Sequence, residues 1–358
     1  MKKVAIVVGA RPQFIKAAPV LHALRKYPLE ILIIHTGQHY DVNLSEIFFN
    51  ELSIPTADYH LSCGSGDGVT QYVTIMERLS SVLARERPDL TVVFGDTNST
   101  GASALTSRLL KIPVAHIEAG LREFDKDIPE EINKLVTDAL ADFYFCPTQT
   151  AVDVLSASGI SENVVLCGDP VIDLLSQRKG PLPSPHIENI GMIEPGKYYF
   201  ATCHRQRNKE NRTNLENILK AFTLLPLPVV FSLHPGTRNA IEQLGLEEYL
   251  KHLNIVAIEP QGFWQTQSLV FHSERVLTDS GGLIKEAYFH GKYVSILDCQ
   301  TEWVEVLEEG KGMICGADIE KILFSVQQVR NDSTPNTSFG SGECSMIIAR
   351  EMYAFLNR

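Results

Sequence analysis

The chain has 358 residues, too many for one ordinary hydrophobic core and suited to two domains. Hydrophobic residues make up 44% and charged residues 21%, an ordinary balance for a soluble globular protein. The formal net charge of −11 argues against an extended nucleic-acid or anionic-membrane surface, although local Arg, Lys and helix N-termini still allow a phosphate to be held. Seven cysteines lie far apart, at 63, 146, 167, 203, 299, 315 and 344, with no Cys-x-x-Cys. Reduced thiols in a cytoplasm are expected, not a disulfide framework or a zinc site. The first residues run straight into an apolar strand pattern without signal-peptide character, and no run approaches the ~18 apolar residues of a spanning helix.

Taken in order, short β-branched runs predict strands over 4–8, 30–35, 90–95, 114–119, 143–146 and 164–167. Amphipathic stretches predict helices over 14–26, 43–50, 69–87, 99–110, 130–141 and 148–157. This alternation predicts right-handed βαβ units and a doubly wound parallel sheet. Residues 177–196 are rich in Pro and Gly, lack a clear period, and are expected to link two domains. A second series then follows, with strands over 198–202, 228–233, 255–258, 276–278 and 294–297 and helices that include 215–224 and 282–290. Residues 331–342 read as a polar loop, and a final helix over 343–357 is expected to cross back to the first domain. The fold class is therefore α/β with two Rossmann-like domains, divided at 1–176 and 177–340, and a ligand is expected in a cleft between them.

Acidic groups cluster where strands of the first domain end. Asp96 closes one apolar run, Glu118 closes the next, and Glu130 and Glu131 follow Pro129 at a helix start. Ligands bind at that edge of an open α/β sheet. Carboxylates crowded there are expected to repel one another, which raises a pKa and suits one of them to proton transfer. Helix capping competes as an explanation for each acid taken singly. Arg122 is close enough in sequence to pair with Glu118. The first loop, Gly9-Ala10-Arg11-Pro12-Gln13-Phe14-Ile15-Lys16, is not the Gly-x-Gly-x-x-Gly dinucleotide pattern. It places Arg11 at the same edge and Lys16 early in the first helix, where an anion would favour it.

In the second half, His204 and Arg205 follow the first strand and His234 follows the next. No third ligand has the spacing for metal, so phosphate contact or proton transfer is expected of the histidines. Thr278-Asp279-Ser280-Gly281-Gly282 lies between a strand and a helix, where Ser280, Gly281 and Gly282 would form an anion cradle. Glu286, one turn on, is placed to accept hydrogen bonds from vicinal hydroxyls. Gln300-Thr301-Glu302-Trp303-Val304-Glu305 reads as a loop feeding a helix.

Nine motifs, in order, resemble the non-hydrolysing UDP-N-acetylglucosamine 2-epimerase family. They are Gly9-x-Arg11-Pro12-x-x-Ile15-Lys16, Gly37-Gln38-His39, Gly95-Asp96-Thr97, His116-x-Glu118-Ala119-Gly120-Leu121-Arg122, Pro129-Glu130-Glu131-x-Asn133, Cys146-Pro147-Thr148, His204-Arg205, Asp279-Ser280-Gly281-Gly282 and Thr301-Glu302-x-x-Glu305. The resemblance implies a two-domain fold like that of the GT-B glycosyltransferases. It also implies anti elimination of UDP to a 2-acetamidoglucal, followed by re-addition with C2 inverted. It implies no nicotinamide or other cofactor and a UDP-sugar as the partner; a homodimer is expected. By the same resemblance Asp96, Glu118 and Glu130 handle the C2 proton and the cationic transition state. Arg11, Lys16 and His204 stabilise the diphosphate, Ser280 and Gly281 hold the phosphates, and Glu286 takes the ribose hydroxyls.

The chain also departs from the family pattern. Arg207 stands where Glu is common, Asp298 where Arg is common, and Trp303-Val304 where Arg-Pro is common. Residues 40–43 differ from the Arg-containing segment that helps bind an activating UDP-sugar in some members. Several segments look closer to the branch acting on UDP-2,3-diacetamido-2,3-dideoxy-glucuronic acid, whose extra carboxylate would need a cation such as Arg207. A GT-B glycosyltransferase, a hydrolysing epimerase and an inactive UDP-sugar binder are the competing readings.

Overall fold

Residues 4 to 8 are at most 1% exposed, as a parallel strand covered by helices on both faces must be. The computed structural model describes residues 1–38, 51–64, 66–187 and 191–358. The helix expected over 43–50, His39 and the segment 40–43 lie outside the described residues. The chain divides into two units, Met1–Arg178 with Ser338–Arg358, and Lys179–Thr337.

The first unit is built on a seven-stranded sheet. Its strands are β1 (Lys2–Val8), β2 (Leu29–His35), β3 (Tyr59–His60), β4 (Leu90–Phe94), β5 (Val114–Ile117), β6 (Phe143–Cys146) and β7 (Val164–Leu166). They lie in the order β3-β2-β1-β4-β5-β6-β7, and every pair is parallel. Between them run α1 (Arg11–Leu24), α2 (Gly68–Glu86), α3 (Asn98–Leu109), α4 (Pro129–Leu140), α5 (Gln149–Ala157) and α6 (Pro170–Ser176). The order reverses between β1 and β4. At such a switch point the loops after the two strands splay apart and open a crevice beyond their carboxyl ends.

The second unit repeats the plan. A short antiparallel hairpin of β8 (His186–Ile187) and β9 (Gly191–Met192) occupies part of the segment expected to be irregular. Then come β10 (Tyr199–Thr202), β11 (Val229–Ser232), β12 (Ile255–Ile258), β13 (Arg275–Thr278), β14 (Val294–Ile296) and β15 (Gly312–Ile314). This sheet is also fully parallel, in the order β12-β11-β10-β13-β14-β15, and its switch point falls between β10 and β13. The helices are α7 (Gln206–Lys209), α8 (Arg212–Leu224), α9 (Pro235–Gln243), α10 (Glu247–Leu250), α11 (Phe263–His272), α12 (Gly281–Phe289), α13 (Val304–Glu308) and α14 (Ile319–Ser325). The expected α/β class with two Rossmann-like parallel sheets is what the chain forms.

The last helix, α15 (Cys344–Leu356), belongs to the first unit. Buried Asp173 on α6 accepts hydrogen bonds from the backbone N–H of Cys344 and Ser345 and from the Ser345 hydroxyl. That carboxylate satisfies donors at the start of α15 that otherwise have no intrahelical acceptor. Aromatic packing completes the dock: the Tyr353 ring lies 5.0 Å from Tyr27, and Phe355 lies 5.4 Å from Phe143.

Candidate active site

Loops at the first switch point are tied together by one buried amide. The Gln13 side-chain oxygen accepts from the N–H groups of Gly9 (2.7 Å) and Ala10 (3.1 Å). Its nitrogen donates to the Phe94 carbonyl and the Thr100 hydroxyl, each at 2.9 Å. The turn after β1 is thereby locked to the turn after β4. Gln38 adds a second tie, accepting from the Ser99 N–H at 2.9 Å and its hydroxyl at 2.7 Å. Helix α1 begins at Arg11, three residues before the expected start, so Lys16 lies in its second turn. Arg11, half-buried, is the first residue of that helix.

Glu118 sits in the left-handed region at φ 72°. Such a conformation costs a side-chain-bearing residue about 1–3 kcal/mol and persists where its surroundings fix it. Here the Glu118 and Ala119 N–H groups both donate to the Phe145 carbonyl, at 3.0 Å each. The carboxylate is ion-paired with Lys16, and both side chains are largely buried. Gly95, at φ 61°, makes room for that pair. A Cβ there would lie 3.0 Å from the Glu118 Oε2 and 3.4 Å from the Lys16 Nζ.

Asp96 follows Gly95 directly, and its Oδ2 lies 3.4 Å from the buried Lys134 Nζ on α4. Lys134 is in turn 3.7 Å from the Glu123 Oε2. Glu130 is exposed in the first turn of α4, whereas Glu131 is buried and accepts the Glu123 N–H at 2.8 Å. Of the two neighbouring acids, Glu131 therefore has a structural use and Glu130 faces outward. The mutual repulsion expected of crowded carboxylates is offset in this arrangement: Asp96 and Glu118 each have an ammonium group alongside.

Arg122 does not pair with Glu118. Its guanidinium lies 2.6 Å from Asp138, which also receives His116 Nδ1 at 2.7 Å. The Nε2 of His116 reaches the Gly95 carbonyl at 2.8 Å. Burial alone would raise the Asp138 pKa, but His116 and Arg122 together hold it below the usual value. This buried trio supports the Gly95-Asp96 turn from beneath the sheet edge.

In the second unit Asp279, 1% exposed, plays the part that Gln13 plays in the first. Its carboxylate accepts the N–H groups of His204 and Arg205 at 2.9 Å and the Asn208 amide at 2.9 Å. The loop after β10 is thus fixed to the loop after β13. The His204 Nδ1 stands 3.9 Å from the same carboxylate. Ser280 caps α12, with its N–H held by the Thr278 hydroxyl at 2.9 Å, so Gly281 and the exposed Gly282 present their N–H groups at the helix start. A Cβ on Gly281 would meet the Glu302 carboxylate at 3.0 Å and the Trp303 indole nitrogen at 3.2 Å, which brings the 301–305 segment to the same edge. Glu286 accepts the Gln267 amide at 2.5 Å, and Gln267 is oriented by His290 at 2.9 Å. The exposed His234 caps α9 by accepting the Gly236 N–H at 3.2 Å through Nδ1, so at least that nitrogen has a local structural use. Arg205 and Arg207 both reach one buried carboxylate, Asp298, at 3.0 and 3.2 Å. No group of metal-ligating side chains forms among the described residues.

The structure therefore gathers Arg11, Lys16, Asp96 and Glu118 at one sheet edge, with Glu130 on the helix that follows. It gathers His204, Arg205, Ser280, Gly281 and Gly282 at the other. Four residues without an assigned role emerge from the geometry: Gln13, Asp279, Lys134 and Gln267. The spacing Glu130, Lys134, Asp138 puts three charges on one face of α4 and was the available signal for Lys134. No helix among the described residues is long and apolar enough to cross a membrane.

A family model described as UDP-N-acetylglucosamine 2-epimerase matches residues 22–352. A relative from Methanococcus maripaludis named UDP-N-acetylglucosamine 2-epimerase homolog is 41% identical over 97% of this chain and 98% of its own length. The UDP-2,3-diacetamido-2,3-dideoxy-D-glucuronate 2-epimerase of Pseudomonas aeruginosa is 38% identical over 97% and 98%. The solved UDP-GlcNAc 2-epimerase of Methanocaldococcus jannaschii, in complex with UDP-GlcNAc and UDP, superposes with a TM-score of 0.88 at 33% identity, over 98% of this chain and 99% of that one.

Proposed function

The chain belongs to the UDP-N-acetylglucosamine 2-epimerase family, and from that premise we propose that it inverts C2 of a UDP-2-acetamido sugar by anti elimination and re-addition of UDP. In the first step a carboxylate removes the C2 proton while the anomeric C–O bond breaks. UDP leaves with the bonding pair, and a C1=C2 double bond remains in the sugar. In the second step a UDP oxygen returns to C1 as C2 takes a proton on its other face. Two acid–base groups on opposite faces serve this sequence, because one carboxylate cannot reach both. Asp96, Glu118 and Glu130 supply them, and their negative charge also favours a cationic anomeric centre. Arg11, Lys16 and His204 balance charge developing on the diphosphate, with Lys16 acting as a unit with Glu118. Ser280, Gly281 and Gly282 cradle phosphate at the N-terminus of α12, assisted by Arg205 and His234, and Glu286 takes the ribose hydroxyls.

The observation that carries this reading is the strained, buried Glu118 paired with Lys16 beside Asp96. A buried acid held in a costly backbone conformation beside a second carboxylate marks a candidate catalytic group. The protein is taken to work in the cytoplasm, in keeping with its seven free thiols, and as a homodimer, which light scattering at micromolar concentration tests. The decisive assay is proton NMR of UDP-N-acetylglucosamine with the enzyme in D2O and no acceptor. Deuterium at C2 together with the C2 epimer is expected. Turnover only on addition of an acceptor would favour a glycosyltransferase instead. Stoichiometric free UDP with a free sugar would favour a hydrolysing epimerase.

A second reading, UDP-2,3-diacetamido-glucuronate as substrate, is favoured by one observation. Two guanidinium groups, Arg205 and Arg207, converge on the Asp298 carboxylate at the sheet edge. A guanidinium fork suits the geometry of a uronate carboxylate. Competition between the two UDP-sugars in the same deuterium assay decides: preference for the uronate that is lost in R207Q supports it, and equal use by both proteins excludes it.

A further inference from the structure

Lysine is among the residues least often buried, and an ammonium taken out of water must be compensated. Lys134 is 2% exposed on α4, and two carboxylates face it. Asp96 comes from the loop after β4, with 30% of its side chain exposed, and Glu123 comes from the loop after β5, with 1% exposed. The three form a line that runs from the interior to the sheet edge, with Glu123 at the closed end and Asp96 at the open end. Glu123 is itself fixed, because its backbone N–H is held by the Glu131 carboxylate at 2.8 Å. The line is thus anchored in the same helix, α4, that presents Glu130.

We propose that Lys134 is a positioning residue of the isomerisation, which holds Asp96 as an oriented carboxylate ready to accept a proton, with Glu123 setting how much of its charge Asp96 feels. The proposal rests on Asp96 acting as an acid–base group in the reading above. An ammonium within about 4 Å favours the ionised form of a carboxylate, and an anion on the ammonium's far side weakens that influence. Lys16 and Glu118 pair with each other across Gly95, His116 and Arg122 are engaged with Asp138, and Glu130 lies exposed at the end of α4. Tyr72, whose hydroxyl a Cβ on Gly101 would meet, is pushed up to about 12 by burial and stays neutral.

Removing Lys134 and removing Glu123 should act on Asp96 in opposite directions, and that opposition is the test. The rate of C2 deuterium incorporation into UDP-N-acetylglucosamine is measured from acid to neutral pH for the wild-type protein, K134M, K134R, E123Q and D96N, with UDP affinity by calorimetry alongside. K134M is expected to move the acid limb of the profile up by about one pH unit, the size of an opposite-charge effect at this range. E123Q is expected to move it down, and K134R to leave it in place, with UDP affinity unchanged in all three. A merely structural lysine would lower amplitude without moving the limb. An unmoved limb in K134M, or a shift in the same direction for K134M and E123Q, overturns the proposal. Should K134M fail to fold, the downward shift of E123Q and the fixed limb of K134R still decide it. D96N separates the two levels: exchange at the wild-type rate removes the acid–base role of Asp96 and the proposal with it. An inactive D96N beside a K134M protein with an unmoved limb removes the proposal alone.

Discussion

Replacing Gly95 with alanine probes the paired acid without touching it. The added methyl enters at φ 61° and lies 3.0 Å from the Glu118 Oε2 and 3.4 Å from the Lys16 Nζ. The left-handed conformation costs an alanine about 1–2 kcal/mol. At about 2–4 °C per kcal/mol for a unit of this size, the melting temperature should fall by roughly 2–8 °C. The effect on chemistry should be larger. At 3.0 Å the carboxylate must give by a few tenths of an ångström, and Glu118 is held by a backbone that has little freedom to follow. Misplacing a reacting group by a full ångström costs about 100-fold in rate, which is the upper bound for this smaller shift. The assay is C2 deuterium exchange under saturating UDP-sugar, with calorimetric UDP affinity as control, since the groups assigned to UDP lie mainly in the second unit. Loss of exchange with UDP affinity kept is expected. A protein that melts lower yet exchanges within twofold of wild type would refute the claim that this pair acts in catalysis.

Three other outcomes are expected. Burial pushes His35 and His290 down to about 4, with neighbouring His60 acting on the first and Lys292 and His272 on the second. The unfolded chain then binds protons below pH 6.5 that the folded chain refuses, so stability should fall as pH drops from 6.5 toward 4. The loss is at most about 3 kcal/mol for each ring, less for the part still in contact with water, and chemical denaturation of H35Q across that window should show a flatter curve. D173A removes the carboxylate that caps α15, which should cost about 1–3 kcal/mol and speed proteolysis of the C-terminal helix; unchanged cleavage would count against the capping account. D279N should weaken UDP binding at least tenfold by calorimetry, because an amide cannot accept the donors from His204, Arg205 and Asn208 together. Unaltered affinity would mean that the loop after β10 does not help grip the nucleotide.

The fold was legible because buried parallel strands write themselves as continuous apolar runs. Residues 4–8 and 90–94 carry no alternation, and each is followed by a Gly-containing turn and a helix. The short strand β15 and the β8–β9 hairpin were not legible, since two or three residues in register leave no period to detect. At the site, the loops after strands pointed to Asp96, Glu118, His204 and Ser280. What holds them was hidden. Gln13, Lys134, Asp279 and Gln267 act through partners 19 to 87 residues away. A lysine on a helix is solvated by default, and only tertiary packing puts Lys134 against Asp96. Arg122 shows the opposite error: nearness in sequence to Glu118 was outweighed by Asp138, whose helix delivers a buried carboxylate to the guanidinium.

Cleavage of the bond between the sugar and UDP is the central event in this account, and isotopic scrambling reports it directly. UDP-N-acetylglucosamine carrying 18O in the bridge between C1 and the β-phosphorus is incubated with the enzyme and followed by 31P NMR. Elimination frees a terminal phosphate that rotates before it re-adds, so the label should spread from the bridge to the non-bridging oxygens at a rate comparable to epimerisation. Epimerisation with the label kept wholly in the bridge would contradict elimination and re-addition.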